Sequence, residues 1–69
     1  MKLEYDRRAD AIYIRLKEAE VATTRELEDN LIVDLDEQGR LVGIELLFVS
    51  DYLSQEDIDS FTLNLLSSA

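Results

Sequence analysis

Hydrophobic and polar residues alternate with a period of two over most of residues 2–47, the spacing of strands that send one side chain to a core and the next to the opposite face. Residues 2–6 carry Leu3 and Tyr5 on one side, and residues 11–16 set Ile12, Ile14 and Leu16 against Tyr13 and Arg15. Between them Arg7-Arg8-Ala9 reads as a hairpin loop. Residues 21–27 alternate less regularly and are rich in β-branched side chains, which predicts a strand with one solvated face. Residues 30–36 place Leu31, Val33 and Leu35 opposite Ile32, Asp34 and Asp36. Glu37-Gln38-Gly39 then turns the chain, the glycine supplying the positive φ of a three- or four-residue loop. Residues 40–47 return with Val42, Ile44 and Leu46 opposed to Leu41, Gly43 and Glu45. The pattern predicts five antiparallel strands joined as a meander.

The period changes near residue 54. Ser54 followed by Asp57 resembles a capping box with Asp in place of Glu, and Glu56, Asp57 and Asp59 suit the positive end of a helix dipole. A helix over residues 55–66 then projects Ile58, Phe61, Thr62 and Leu65 as one stripe onto a single face of the sheet. The expected fold is α+β: a five-stranded antiparallel β-meander with one C-terminal α-helix packed on one face, a single domain over residues 1–69. The second face is left open. Tyr13, Ile32 and Leu41 point there, Gly43 leaves room for close approach, and Leu63 and Leu66 lie off the main helix stripe. An exposed apolar patch of this kind marks contact with another chain, so these residues form the candidate interaction surface of a homo-oligomer. A dimer through the open face or through a strand edge is expected.

Composition sharpens this expectation. A chain of 69 residues has no room for a multi-domain enzyme, and with no proline and two glycines nothing marks a linker or repeat. A domain this small buries only about 60% of its unfolded surface and is marginal alone. The chain has no cysteine and no histidine, so disulfides and the common thiolate or imidazole metal sites are excluded as staples, leaving oligomerisation. Sixteen acidic side chains against seven basic ones give a net charge of −9, and after Arg40 there is no base while Glu45, Asp51, Glu56, Asp57 and Asp59 follow. Neither nucleic acid nor an anionic membrane suits such a chain. A basic protein does. The N-terminal residues show no apolar targeting segment, and a cytoplasmic location is expected.

Three constellations bear on chemistry. Residues 34–45 approach the calcium-loop pattern, with Asp34 first, Asp36 third, Gln38 fifth, Gly39 sixth and Glu45 twelfth. Their flanks alternate as strands, however, so the expectation is an acidic hairpin whose Asp and Gly serve the turn, with a calcium-binding hairpin as the remaining alternative. Asp34, Asp36 and Glu45 on one sheet face would also need a concave, partly dry pocket to work as paired acid and base. With no histidine or cysteine there is no nucleophilic triad, and neither glycine lies in a phosphate-cradling pattern. No catalytic, metal or cofactor-binding residue is assigned, and the chain is not expected to be an enzyme or to need a cofactor. The segment from Tyr5 to Leu16 is the most distinctive. Asp6 and Asp10 can accept the loop's amides, small Ala9 and Ala11 permit a tight return, and Arg7, Arg8, Tyr13 and Arg15 are the alternative recognition surface.

That segment, with Thr24-Arg25-Glu26-Leu27, Val33-Asp34-Leu35-Asp36 and Gly39 through Leu46, resembles domain of unknown function family 2283, a group of small bacterial and archaeal proteins. The similarity covers roughly residues 1–50, and Phe48 stands where members often carry a polar residue. It implies a small β-sheet domain without assigned catalytic residues and, because members are sometimes encoded beside toxin-like small proteins, an antitoxin-like role. The expected function is an acidic protein-interaction domain that self-associates and binds a basic protein. A self-assembling structural or accessory protein with no other partner is the alternative.

Overall fold

The structure is a computed structural model that describes residues 1–67, with side chains described through Ser60 and at Leu63. It contains the strands β1 (Lys2–Asp6), β2 (Ala11–Arg15), β3 (Thr23–Glu28), β4 (Leu31–Leu35) and β5 (Leu41–Leu47), a 3-10 turn (Val49–Asp51) and helix α1 (Gln55–Ser67). The strands form one antiparallel sheet in the order β1-β2-β5-β4-β3, which gives the α+β architecture with a single C-terminal helix. β3, β4 and β5 follow one another as hairpins, and β5 then pairs with β2. The connection over residues 16–22 therefore carries the chain past the ends of β5 and β4 to the far edge, a Greek-key link.

Backbone and charge hold this crossing in place. The Leu16 N–H donates to the Val42 carbonyl and the Ala22 N–H to the Leu35 carbonyl, both at 2.8 Å. Near its start, the Lys17 ammonium meets the Asp36 carboxylate at 2.6 Å. The same carboxylate accepts the N–H groups of Gln38 and Arg40 at 2.9 Å, and the turn closes with Gly39 at φ 78°, in the left-handed region that glycine enters without penalty. The Lys17 hydrogen bond first, then these amides, hold the Asp36 carboxyl below the usual carboxylate range.

The core lies on one face of the sheet. Ile12, Ile14, Val49 and Ile58 form its buried cluster, with Leu3, Tyr5, Leu46 and Leu53 packed around them, so α1 covers the β1–β2 side. The helix begins as its sequence signals: the Asp57 N–H donates to Ser54 Oγ and the Ser54 N–H to Asp57 Oδ2, each at 3.1 Å. Of the helix stripe, Ile58 is buried, while the side chains of Phe61, Thr62 and Leu65, like that of Leu66, fall outside the described residues. β3 departs from expectation. It begins at Thr23, Val21 and Ala22 belonging to the crossing connection, and it is exposed along its whole length on both faces because it is an edge strand away from the helix.

The β1–β2 loop is locked to the far end of β5. Asp6 accepts the N–H groups of Arg8 and Ala9 at 3.0 and 3.1 Å, as its position suggested. Asp10 does otherwise. With φ at 56°, it turns its carboxylate to Ser50, accepting the N–H at 3.0 Å and the hydroxyl at 2.6 Å, while its carbonyl accepts the Val49 N–H at 3.1 Å. This clamp seats Val49, which is fully buried. Asp10→Ala removes two carboxylate bonds and is expected to lower unfolding free energy by about 1–3 kcal/mol, measured by urea denaturation. A loss no larger than that of a surface substitution would show that the clamp does not seat Val49.

Candidate functional site

Strand alternation puts a second set of side chains on the face turned away from α1. One row across the sheet reads Arg15, Gly43, Asp34 and Thr24, on β2, β5, β4 and β3 in turn. The next reads Tyr13, Glu45, Ile32 and Glu26. Tyr13 leaves its own row and leans diagonally over Gly43. A Cβ built on Gly43 would clash with the Tyr13 hydroxyl and lie 2.6 Å from its Cζ and 3.2 Å from the Ile14 carbonyl oxygen. Only a bare α-carbon lets the ring lie there, an arrangement in which an aromatic covers a strand glycine.

The diagonal gives Tyr13 its partner. Its hydroxyl donates to Asp34 Oδ2 at 2.7 Å, and the Thr24 hydroxyl donates to Asp34 Oδ1 at 2.8 Å, so one carboxylate gathers side chains from both neighbouring parts of the sheet. The Arg15 guanidinium carbon sits 5.9 Å from the Tyr13 ring centroid, within cation–π range. The hydrogen bond to Asp34 raises the Tyr13 pKa above its ordinary value, burial and the Asp34 and Glu45 charges add to this, and Arg15 opposes it.

Of the residues singled out from the sequence, Tyr13, Ile32 and Gly43 share this open face. Leu41 lies beyond the register shift, where it pairs with Leu35 and not with an open-face residue of β4, and is 43% exposed. Leu63 does not join them. It projects from α1, on the other side of the sheet, and is 69% exposed. The position of Leu66 lies outside the described side chains. The face is also more polar than the apolar pattern alone suggested, since Glu4, Asp6, Glu26, Asp34 and Glu45 alternate onto it with Lys2 and Arg15. The roles of Thr24 and Asp34 were not read from the sequence; the mid-strand glycine was the available signal, but it does not say which side chain crosses it. Asp34 and Asp36 do not converge as calcium ligands. The first holds Tyr13 and Thr24, the second Lys17 and the turn amides, and among the described residues no group of three or more Asp, Glu, His or Cys side chains is placed to hold a metal. Among the described residues no helix is long and apolar enough to cross a membrane.

Fold and face together define a small α+β sheet domain with one helix-covered face and one open face. A family model described as "Protein of unknown function (DUF2283)" matches residues 2–50, and the chain belongs to this family. The matched span includes all five strands, with Tyr13, Asp34 and Gly43, and ends before α1. No curated protein and no solved structure matches the chain.

Two expectations test the geometry. Gly43→Ala forces Tyr13 off its seat and is expected to destabilise by about 1–3 kcal/mol, although alanine is otherwise the better strand residue. In a Tyr13→Ala background the same change becomes neutral or stabilising, and a double-mutant cycle with no coupling would contradict the contact. The second concerns pH. Because the folded Tyr13 pKa is raised, its contribution is fully present below the ordinary tyrosine value of about 10 and is lost as pH rises through the folded value. The stability difference between wild type and Tyr13→Phe should therefore narrow above about pH 10 in urea denaturation; a difference that widens there would refute the assignment.

Proposed function

We propose that this protein is a binding rather than a catalytic domain, one that self-associates and presents its open sheet face to a basic protein, in the manner of a cytoplasmic antitoxin. The observation that carries this reading is the composition of that face. Tyr13 and Ile32 supply aromatic and apolar contact area, and Glu4, Glu26, Asp34 and Glu45 surround them with negative charge that outweighs Lys2 and Arg15. Aromatic anchors inside a charged rim are the anatomy of a recognition surface. Two such faces would repel each other, so a basic partner fits this one better than a second copy does.

The shape supports self-association elsewhere on the molecule. The chain exposes 5048 Å², against about 4,400 Å² expected of a compact protein of this mass. Its Cα radius of gyration is 12.4 Å, against about 11 Å for a compact chain of this length. This excess surface equally suits the second reading, a self-assembling accessory protein with no other partner. The β3 edge is a poor place for assembly, since Arg25, Glu26 and Glu28 and the register shift around Leu27 blunt it.

A capture assay with the product of the adjacent gene distinguishes the two readings. The expected outcome is a complex that weakens about tenfold or more as salt rises from low to physiological levels. Ile32→Lys should abolish it while circular dichroism stays unchanged. A complex indifferent to salt and to this substitution would contradict the reading, and no complex at all would favour the accessory protein.

A further inference from the structure

The turn from β5 into the 3-10 helix carries an aromatic residue where the backbone asks for a different one. Phe48 has φ 55° and ψ 41°, in the left-handed region that is unfavourable for a bulky side chain and normally occupied by glycine or asparagine. The conformation itself has a structural cause, since it swings Val49 into the core and its N–H onto the Asp10 carbonyl. Nothing in that cause calls for phenylalanine. The ring is 52% exposed and takes no part in the core cluster. Strain and exposure together at one residue point to a contact outside the protomer.

The surroundings identify the partner. Tyr52 is 46% exposed, and its hydroxyl donates to the Leu47 carbonyl at 3.3 Å, which ties a second exposed aromatic, four residues after Phe48, to the end of β5. The Asp10–Ser50 clamp brings the β1–β2 loop to the same end, with Arg7 and Arg8 exposed and without a carboxylate partner among the described residues. Asp51, between the two rings in the chain, and Glu56, just after them, are exposed and likewise unpaired among the described residues. Bases, aromatic rings and acids thus share one end of the molecule, and among the described residues these charges do not pair. A two-fold operation gives each charge its opposite, because in an isologous contact one copy's residue i meets the other's j and the reverse. A nucleic acid would meet the Arg pair but also the field of a chain with net charge −9.

We infer that this end is an isologous contact with a second copy of this chain, Phe48 and Tyr52 of both copies packing about the two-fold axis while Arg7 and Arg8 of each meet Asp51 and Glu56 of the other. The inference deepens the self-association proposed above and rests on it. It leaves the open sheet face of each copy free for a basic partner.

Sedimentation equilibrium on the full chain tests it. Wild type should be a dimer that weakens with salt. Phe48→Asn, which suits the left-handed backbone and so keeps the fold by circular dichroism, should raise the dimer dissociation constant about tenfold or more. Arg7→Glu with Arg8→Glu should do the same, and so should Asp51→Arg with Glu56→Arg. Mixing these two charge-reversed proteins should restore a dimer, as a heterodimer. A monomeric wild type overturns both self-association and this contact. A dimer that survives Phe48→Asn and both reversals overturns the contact alone and places association on another surface. Binding of a single-stranded oligonucleotide that Arg7→Glu with Arg8→Glu abolishes, in a chain that stays monomeric, would assign the Arg pair to a polyanion instead.

Discussion

The contact between the Tyr13 ring and the bare backbone of Gly43 governs what the open face of this sheet can be. The sheet consists of two hairpin systems, β1–β2 and β3–β4–β5, that join only where β2 meets β5. Tyr13 starts on β2, crosses β5 at the one position without a side chain, and reaches Asp34 on β4. Thr24 on β3 completes the chain of contacts. A hydrogen bond to a charged acceptor contributes about 1.5–3 kcal/mol, more than an ordinary cross-strand pair, and this one spans the junction where sequence-local hairpins give no support.

The two aspartates of β4 and its turn divide their work by the partners they meet. Asp34 points to the open face and organises its neutral donors, while Asp36, just past the strand end, takes the Lys17 ammonium and secures the crossing connection. Asp10 forms a third tie, from the β1–β2 loop to Ser50. With so small a core, confined to Ala11, Ile12, Ile14, Val33, Val42, Val49 and Ile58 among the described residues, these polar ties bind segments that apolar packing alone would hold loosely. They also explain how an acid-rich chain directs several carboxylates to structural work and still presents a negatively charged surface.

Period-two alternation was enough to show the strands, the division of side chains between two faces and the grouping of Tyr13, Ile32 and Gly43, because alternation is a property of each strand by itself; the bulge that pairs Leu41 with Leu35 breaks that alternation and leaves no local signal. The Ser54–Asp57 cap and the Gly39 turn were equally legible, since both depend on residues within a few positions of each other. Pairing of β2 with β5 was not, because alternation does not say which strand neighbours which. For the same reason the partner of Asp10 was missed: Ser50 lies 40 residues away in the chain. Gly43 was recognised as room for a close approach, yet only the register shows that the approaching group comes diagonally from Tyr13 rather than from Arg15 directly opposite. The solvation of both sides of β3 likewise follows from its edge position and not from its composition.

Proton NMR of the free protein tests the central arrangement most directly. A ring seated over residue 43 predicts nuclear Overhauser contacts between the Tyr13 aromatic protons and the Gly43 α-protons, with one of those α-protons displaced upfield by the ring current and returned on Tyr13→Leu. Gly43 α-protons at unshifted positions, with Tyr13 showing contacts only to Glu45 straight across the strands, would contradict it.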